Sequence, residues 1–239
     1  MPDSRYLLES LAIARRIASL PPVEIRVWGE SEARAFYDNA TAPHPRFPFA
    51  GRKTFGAALI DLADPVNASL SGGGFKRLRQ HSRKASLAGF TFAPFAPLEH
   101  LARILEINAS AAIRQGRGMD PQYLDPAAVE RMARAHPLSF GVFGADGDLC
   151  AYAHAPVHGD VVVFSRILGH AAFNELGVMY LLVSETNKHM ARRHAGTGAP
   201  RWSFYDMYLG ASPGLRFFKD RCGFEPRRVR WRWIGERAP

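Results

Sequence analysis

Asp206 is the residue whose setting most clearly demands a task. It lies in Trp202-Ser203-Phe204-Tyr205-Asp206-Met207-Tyr208-Leu209, which reads as a strand. Alternation puts Trp202, Phe204, Asp206 and Tyr208 on one face and Ser203, Tyr205, Met207 and Leu209 on the other. A carboxylate in so apolar a strand is expensive to bury unpaired, so it must meet a cation or take part in chemistry; Arg166 and Lys219 are candidate partners. Such a group can grip an ammonium ion or act as a base, and the phenols of Tyr205 and Tyr208 can donate a proton. The same residues also allow an architectural reading, with Asp206 accepting from a backbone or arginine group and the tyrosines packed with their hydroxyls at the rim. Lys219, in Phe218-Lys219, can hold an anionic group or simply face solvent.

Other chemistries lack their spacing. No GxSxG elbow is present, and the nine histidines form neither HExxH nor a similar metal pattern. Cys150 and Cys222 are too few and too far apart for a disulfide framework or a cysteine zinc site, which points to a reducing, cytoplasmic compartment. The first apolar stretch, Leu11 to Ile17, is interrupted by Arg15 and Arg16, and no run approaches the roughly 20 apolar residues of a membrane span. No leader and no membrane association are expected.

The 239 residues carry a formal charge of +9, and the surplus is local. Lys76, Arg77, Arg79, Arg83 and Lys84 give +5 with no acid between them. From Gly214 onward Arg216, Lys219, Arg221, Arg227, Arg228, Arg230, Arg232 and Arg237 outnumber three acids, again by 5. Everything else sums to −1, a distribution that favours an anionic partner or ligand group over a generally basic surface. On the last strand Val229, Trp231 and Trp233 alternate with Arg228, Arg230 and Arg232, so the tryptophans read as core and the arginines as a row.

These residues need elements to position them. Arg5 to Leu20 has helical spacing, Val23 to Trp28 alternates like a strand, Ser31 to Ala40 reads as a short helix, and Thr54 to Leu62 as a strand after a Pro-rich crossing at 43–48. Ser71-Gly72-Gly73-Gly74 marks a boundary, dividing an N-terminal extension (1–74) from the remainder (75–239). Helices are then predicted at Phe75 to Ala88, Leu98 to Arg114 and, capped by Asp125-Pro126, Ala127 to Ala135. Strands follow at Leu138 to Phe143 and Leu149 to Ala155, joined through Asp146-Gly147, and at Val161 to Leu168. A helix at Gly177 to Arg193 leads to the Asp206 strand, a short helix capped by Ser212-Pro213, and a final strand at Arg227 to Ile234. Three consecutive strands between helices predict a mixed α/β (α+β) sheet rather than a doubly wound one.

That order, with several local motifs, resembles the GNAT acyltransferase superfamily, in its FemAB-like branch, over residues 75–234. The motifs are Gln80-His81-Ser82-Arg83-Lys84-Ala85 with Gly89-Phe90, Tyr205-Asp206-Met207-Tyr208-Leu209-Gly210, Gly214-Leu215-Arg216-Phe217-Phe218-Lys219, and Cys222-Gly223-Phe224-Glu225-Pro226. A related likeness exists with aminoacyl-tRNA-protein transferases, whose cysteine-rich N-terminus is missing here. The resemblance implies a GNAT-like fold, with residues 1–74 as an extension or partial second GNAT-like half. It also implies an N-acyltransferase that moves an acyl or aminoacyl group from a thioester or ester donor to an amine by direct attack. Substrates would meet where the strands Val161 to Leu168 and Trp202 to Leu209 splay apart, with Asp206, Tyr208 and Tyr205 as the catalytic set. Donor contacts would come from Arg166, Leu168, Gly177, Val178 and Lys219. Two placements of the family's pyrophosphate-holding loop are open, Arg166-Ile167-Leu168-Gly169-His170-Ala171 and Asn174-Glu175-Leu176-Gly177-Val178-Met179. Acyl-CoA would be a co-substrate, with no covalently bound cofactor and no metal. A tRNA or acyl carrier protein would meet Arg79, Arg83, Arg228 and Arg230. The alternatives are an aminoacyl-tRNA-dependent transferase and a non-catalytic RNA-binding module on a degenerate GNAT scaffold.

Overall fold

The computed structural model describes residues 4–45, 47–114, 117–136 and 139–236; Arg237 of the basic terminus and Leu138 of a predicted strand lie outside them. In chain order the main elements begin with α1 (Ser4–Ser19), β1 (Val23–Trp28), α2 (Ser31–Thr41) and β2 (Phe55–Asp61). Next come α3 (Lys76–Leu87), β3 (Thr91–Phe95), α4 (Leu101–Ala109), α5 (Pro126–Ala135), β4 (Ser139–Phe143) and β5 (Leu149–His154). The remainder is β6 (Val161–Val163), β7 (Arg166–Gly169), α6 (Val178–Thr197), β8 (Trp202–Met207), α7 (Pro213–Arg221) and β9 (Glu225–Gly235).

The chain forms two compact units that interleave along the sequence. Residues 1–68, 157–163 and 190–239 make the first, and residues 69–156 and 164–189 the second. Residues 1–74 therefore contribute β1 and β2 to the same six-stranded sheet that holds β8 and β9, in the order β1-β9-β2-β8-β6 with Val157–His158 at the edge. The pairing of β1 with β9 is parallel (Ile25 opposite Trp231), β9 and β8 both run antiparallel to β2, and β6 is parallel to β8 (Val161 opposite Trp202).

Alternation places Ile25, Val27, Leu59, Val161, Trp202, Phe204, Val229 and Trp231 in one core, closed by Phe36 and Tyr37 of α2. Phe36 meets Trp231 edge-on at 5.3 Å. Of the β9 tryptophans Trp231 is thus a core group and Trp233, partly buried, packs against that core, on the face the alternation predicts. Their arginine neighbours are not one uniform row. Arg230 and Arg232 are exposed, whereas Arg228 turns back to donate from Nη1 to the carbonyls of Ala18 (3.2 Å) and Leu20 (3.4 Å), where α1 leaves orphan acceptors.

A second anchor joins β1 to the start of β6. Asp160, nearly buried, takes Arg26 Nε at 2.8 Å and Nη2 at 3.3 Å, and its backbone N–H donates to the Arg26 carbonyl. Bidentate geometry of this kind is among the stronger ionic contacts. Asp160→Ala is expected to cost about 2 kcal/mol, read as a lower urea midpoint with unchanged slope.

The second unit holds a four-stranded antiparallel sheet, β7-β5-β4-β3. The strand predicted over 161–168 is here two strands. It pairs with β8 only to Val163, and from Arg166 it pairs with β5, Arg166 standing opposite His154. Leu168, Tyr152, Phe95, Ile104, Ile107 and Val129 build the core under α4 and α5. The predicted helix over 98–114 is shorter than its pattern: a 3-10 turn at Pro97–His100 precedes α4, which stops at Ala109. The Asp125 and Ser212 caps form as predicted, accepting from Ala127 N (3.1 Å) and Leu215 N (3.4 Å).

At the start of α6 the backbone is locked by α3. Gly177 has φ +87°, and a Cβ there would stand 2.4 Å from the His81 carbonyl oxygen. Beside it His81 stacks on Tyr180 at 4.5 Å, Ser82 Oγ meets Ser184 Oγ at 3.0 Å, and Lys84 Nζ donates to the Glu175 carbonyl at 2.8 Å. No helix among the described residues is long and apolar enough to cross a membrane.

Candidate active site at the bulge of the Asp206 strand

The alternation expected along 202–209 breaks at Asp206. Phe204 stands opposite Leu59 and Met207 opposite Ala57, so Tyr205 and Asp206 together face the single residue Ala58. This is a β-bulge, and Asp206 supplies its left-handed residue at φ +48°. Aspartate tolerates that region better than most side chains. The consequence overturns the expectation of a buried carboxylate: the bulge turns Asp206 outward, leaving its side chain 61% exposed. Trp202, Ser203, Phe204 and Tyr205 before it are all buried.

The partner of Asp206 is Lys53, whose Nζ donates to Oδ1. Crowding by surrounding protein pushes the Asp206 pKa up, but the Lys53 ammonium, helped by Lys219 and the Met207 N–H, more than reverses this and holds the carboxyl below the ordinary aspartate range. Lys53 is itself fixed. Its carbonyl accepts from Trp231 Nε1 at 2.9 Å, and its ammonium lies 5.6 Å from the Phe204 ring centre.

Beneath the bulge lies Lys219, a charged residue with no solvent exposure. Its Nζ donates to the Met207 carbonyl at 2.7 Å and lies 4.9 Å from the centre of the Tyr205 ring. One acceptor and a ring face for three N–H donors is thin solvation for an ammonium. Burial accordingly pulls its pKa down to about 8, partly opposed by Asp206 and assisted by Lys53. The lysine reaches this position from α7, whose end is closed by the Phe224 N–H donating to the Lys219 carbonyl at 3.0 Å.

The tyrosines have defined places. Tyr208 donates to Asp220 Oδ1 at 2.6 Å; burial, and then this bond, raises its pKa, so the phenol stays protonated across the ordinary range. Tyr205 packs against Phe218 and Phe224 with its ring beneath Lys219. The first unit therefore brings together Asp206, Tyr205, Tyr208 and Lys219 and adds Lys53.

The other expected donor contacts, Arg166, Leu168, Gly177 and Val178, belong to the second unit. Leu168 and Val178 are buried there, and Gly177 lies against His81. Of the four arginines expected to contact nucleic acid or a carrier, Arg79 holds the carbonyls of Leu70 and Gly72, Arg228 caps α1, and Arg83 and Arg230 are exposed. Among the described residues no group of three or more His, Cys, Asp or Glu is placed to hold a metal ion.

Lys53 is the member that sequence reasoning missed. It lies 153 residues from its partner, in an Arg-Lys-Thr segment without a motif. No local signal marks it: the strand register places Ala58 opposite the bulge, and Lys53 reaches Asp206 from just before that strand.

No protein-family model and no curated protein matches this chain. Solved structures do. FemX matches with a TM-score of 0.57 at 13% identity, over 72% of this chain and 59% of FemX. A conserved protein of unknown function from Bacteroides thetaiotaomicron VPI-5482 gives 0.52 at 15%, over 80% and 62%. A DUF2156 domain from Agrobacterium fabrum, described as the C-terminal part of a lysylphosphatidylglycerol synthetase, gives 0.50 at 18%, over 72% and 58%. The chain spans about three fifths of the length of each of these structures. Its mixed α/β architecture and these likenesses give the chain a GNAT-like fold.

Proposed function

We propose that this chain is an acyltransferase, moving an acyl or aminoacyl group from a thioester or ester donor to an amine. The observation that carries the reading is Lys219, a wholly buried amine pulled to a pKa of about 8 directly beneath an exposed, ionised carboxylate. Strongly perturbed groups supported by specific neighbours are characteristic of sites that move protons.

The roles follow from the two environments. Asp206 is ionised and a weak base, so it grips the acceptor as an ammonium ion. Neutral Lys219 takes the proton that this amine must lose before it attacks. Nitrogen then bonds to the donor carbonyl carbon, the bond from that carbon to sulfur or oxygen breaks, the Lys219 ammonium returns the proton to the leaving group, and the surplus proton on the new amide nitrogen is lost to solvent. A lysine near pKa 8 matches a thiol leaving group, whose own value is near 8.5. Tyr208, committed to Asp220, shapes this corner while Lys219 carries the proton.

Purified protein offered acetyl-CoA, an acyl carrier protein thioester or a charged tRNA, each with a panel of primary amines, is expected to form an amide from one donor class. Asp206→Asn is expected to raise KM for the amine roughly tenfold or more, with a smaller change in kcat. An unchanged KM removes Asp206 from amine binding. Asp206→Gly is expected to leave stability within about 1 kcal/mol of wild type, because glycine adopts the bulge conformation freely and the lost ion pair is solvent-exposed.

Basic α3 favours a polyanionic donor. Lys76, Arg77 and Arg83 are exposed, and none pairs with a carboxylate among the described residues. With charged tRNA as the donor, affinity falls steeply between about 50 and 200 mM salt. Salt-sensitive tRNA binding without amide formation would instead favour an RNA-binding module.

A further inference from the structure

A guanidinium in the second unit has a built cradle and, among the described residues, no counter-ion. Arg166, on β7, lies 4.1 Å from the centre of the Tyr123 ring. Tyr123 is held in turn: its carbonyl accepts from Asn108 Nδ2 at 2.8 Å, and Asn108 Oδ1 accepts from the buried Tyr152 hydroxyl at 2.7 Å. Asn108 and Tyr152 thus anchor the backbone from which the Tyr123 ring meets the guanidinium. Its Nη1 is nevertheless buried with no hydrogen-bond partner, and no carboxylate among the described residues pairs with it. Arg114 of the same unit differs in that its Nη1 and Nη2 donate to the carbonyls of Gly169 and Ile107, which leaves only its Nε buried without a partner among the described residues.

Directly opposite Arg166 across the β7-β5 ladder is His154, on the same face of the sheet. It is fully buried, and Ser139 Oγ lies 2.5 Å from its Nδ1. So short a contact suits O–H···N, and the hydroxyl's alternative acceptor, the His136 carbonyl, is at 3.4 Å. We assign the Ser139 proton to Nδ1, which leaves Nε2 as the N–H. Burial first, then His136 and Arg166, push the imidazole pKa to about 3, so it stays neutral. Nε2 is also buried and has no partner among the described residues.

Two donors on adjacent positions of one sheet face, one of them permanently charged, therefore lack an acceptor among the described residues. A buried charge and a buried donor left unmatched each cost free energy, and an anion that accepts from both removes both penalties. The guanidinium fork fits a planar, two-oxygen acceptor, and a neutral N–H beside it completes the set without adding charge. We propose that Arg166 and His154 form a binding site for a carboxylate of a small-molecule or peptide ligand, with Tyr123 orienting the guanidinium. This assignment does not rest on the transfer chemistry proposed for Asp206 and Lys219. It gives Arg166 a carboxylate partner in place of a pyrophosphate.

The test is thermal unfolding of the full chain with N-acetylglycine, its neutral amide N-acetylglycinamide, or inorganic phosphate, at matched ionic strength. N-acetylglycine is expected to raise Tm by about 2 °C or more at tens of millimolar, with no shift from the amide. Arg166→Gln and Arg166→Lys should both lose the response, Lys because it keeps the charge but not the fork. Equal shifts from acid and amide, or a response retained in Arg166→Gln, overturn the site. Phosphate matching the acid overturns the carboxylate class. Because acid and amide are compared on wild-type protein, the proposal stays testable even if a variant fails to fold.

Discussion

Lys219→Met is expected to reduce acyl transfer by about 100-fold or more while leaving the fold intact and stability at pH 7 within roughly 2 kcal/mol of wild type. Two stability effects oppose each other. The wild-type amine has a folded pKa of about 8 against 10.5 unfolded, so the unfolded chain binds more protons between those values. Burial of Lys219 therefore costs roughly 3 kcal/mol below pH 8, and the cost disappears as pH rises to about 10.5. Methionine removes that cost but leaves the Met207 carbonyl without its donor, a loss of about 1–3 kcal/mol. Urea titrations of both proteins check the sign: stability of wild type relative to Lys219→Met should rise by about 3 kcal/mol from pH 8 to 10.5. A flat difference would mean that Lys219 titrates normally. In the transfer assay the same group predicts a wild-type kcat/KM that climbs toward pH 8 and then levels.

The largest stability effect falls far from this chemistry in the chain. Gly177→Ala is expected to cost at least about 3 kcal/mol, seen as a fall in the urea midpoint. An alanine at φ +87° costs about 1 kcal/mol by itself. Its Cβ would also stand 2.4 Å from the His81 carbonyl oxygen, a main-chain atom that moves only if α3 shifts. That shift strains the His81–Tyr180 stack and the Ser82–Ser184 contact together. A loss below about 1 kcal/mol would show that α3 and the start of α6 are loosely joined.

What could be read in advance divides along physical lines. Caps and core alternation are local, so the Ser212 and Asp125 caps, the buried Trp231 and the partly buried Trp233 of β9 follow from neighbouring residues. Asp206 stood out because a carboxylate in an apolar strand is costly to bury. The remedy was not a buried partner but a bulge, which no glycine or proline in 202–207 announces. Lys53 and the crossing of the chain between two units are settled by registers between distant strands, which local patterns do not encode. The break between β6 and β7 has the same origin: 161–168 looks like one apolar strand, yet its halves pair with different sheets. The pKa of Lys219 could not be read at all, because a lysine in the last turn of a short amphipathic helix has every local reason to be exposed.

Product formation tests the central claim most directly. An isotope-labelled acyl or aminoacyl donor is supplied to wild type and to folded Lys219→Met with the amine panel, and the amide is quantified by mass spectrometry. The account predicts a labelled amide from wild type with at least one of the three donor classes, and a yield lower by about 100-fold from Lys219→Met. Amide formation that is equal in the two proteins, or absent from folded wild type with every donor class, would contradict it.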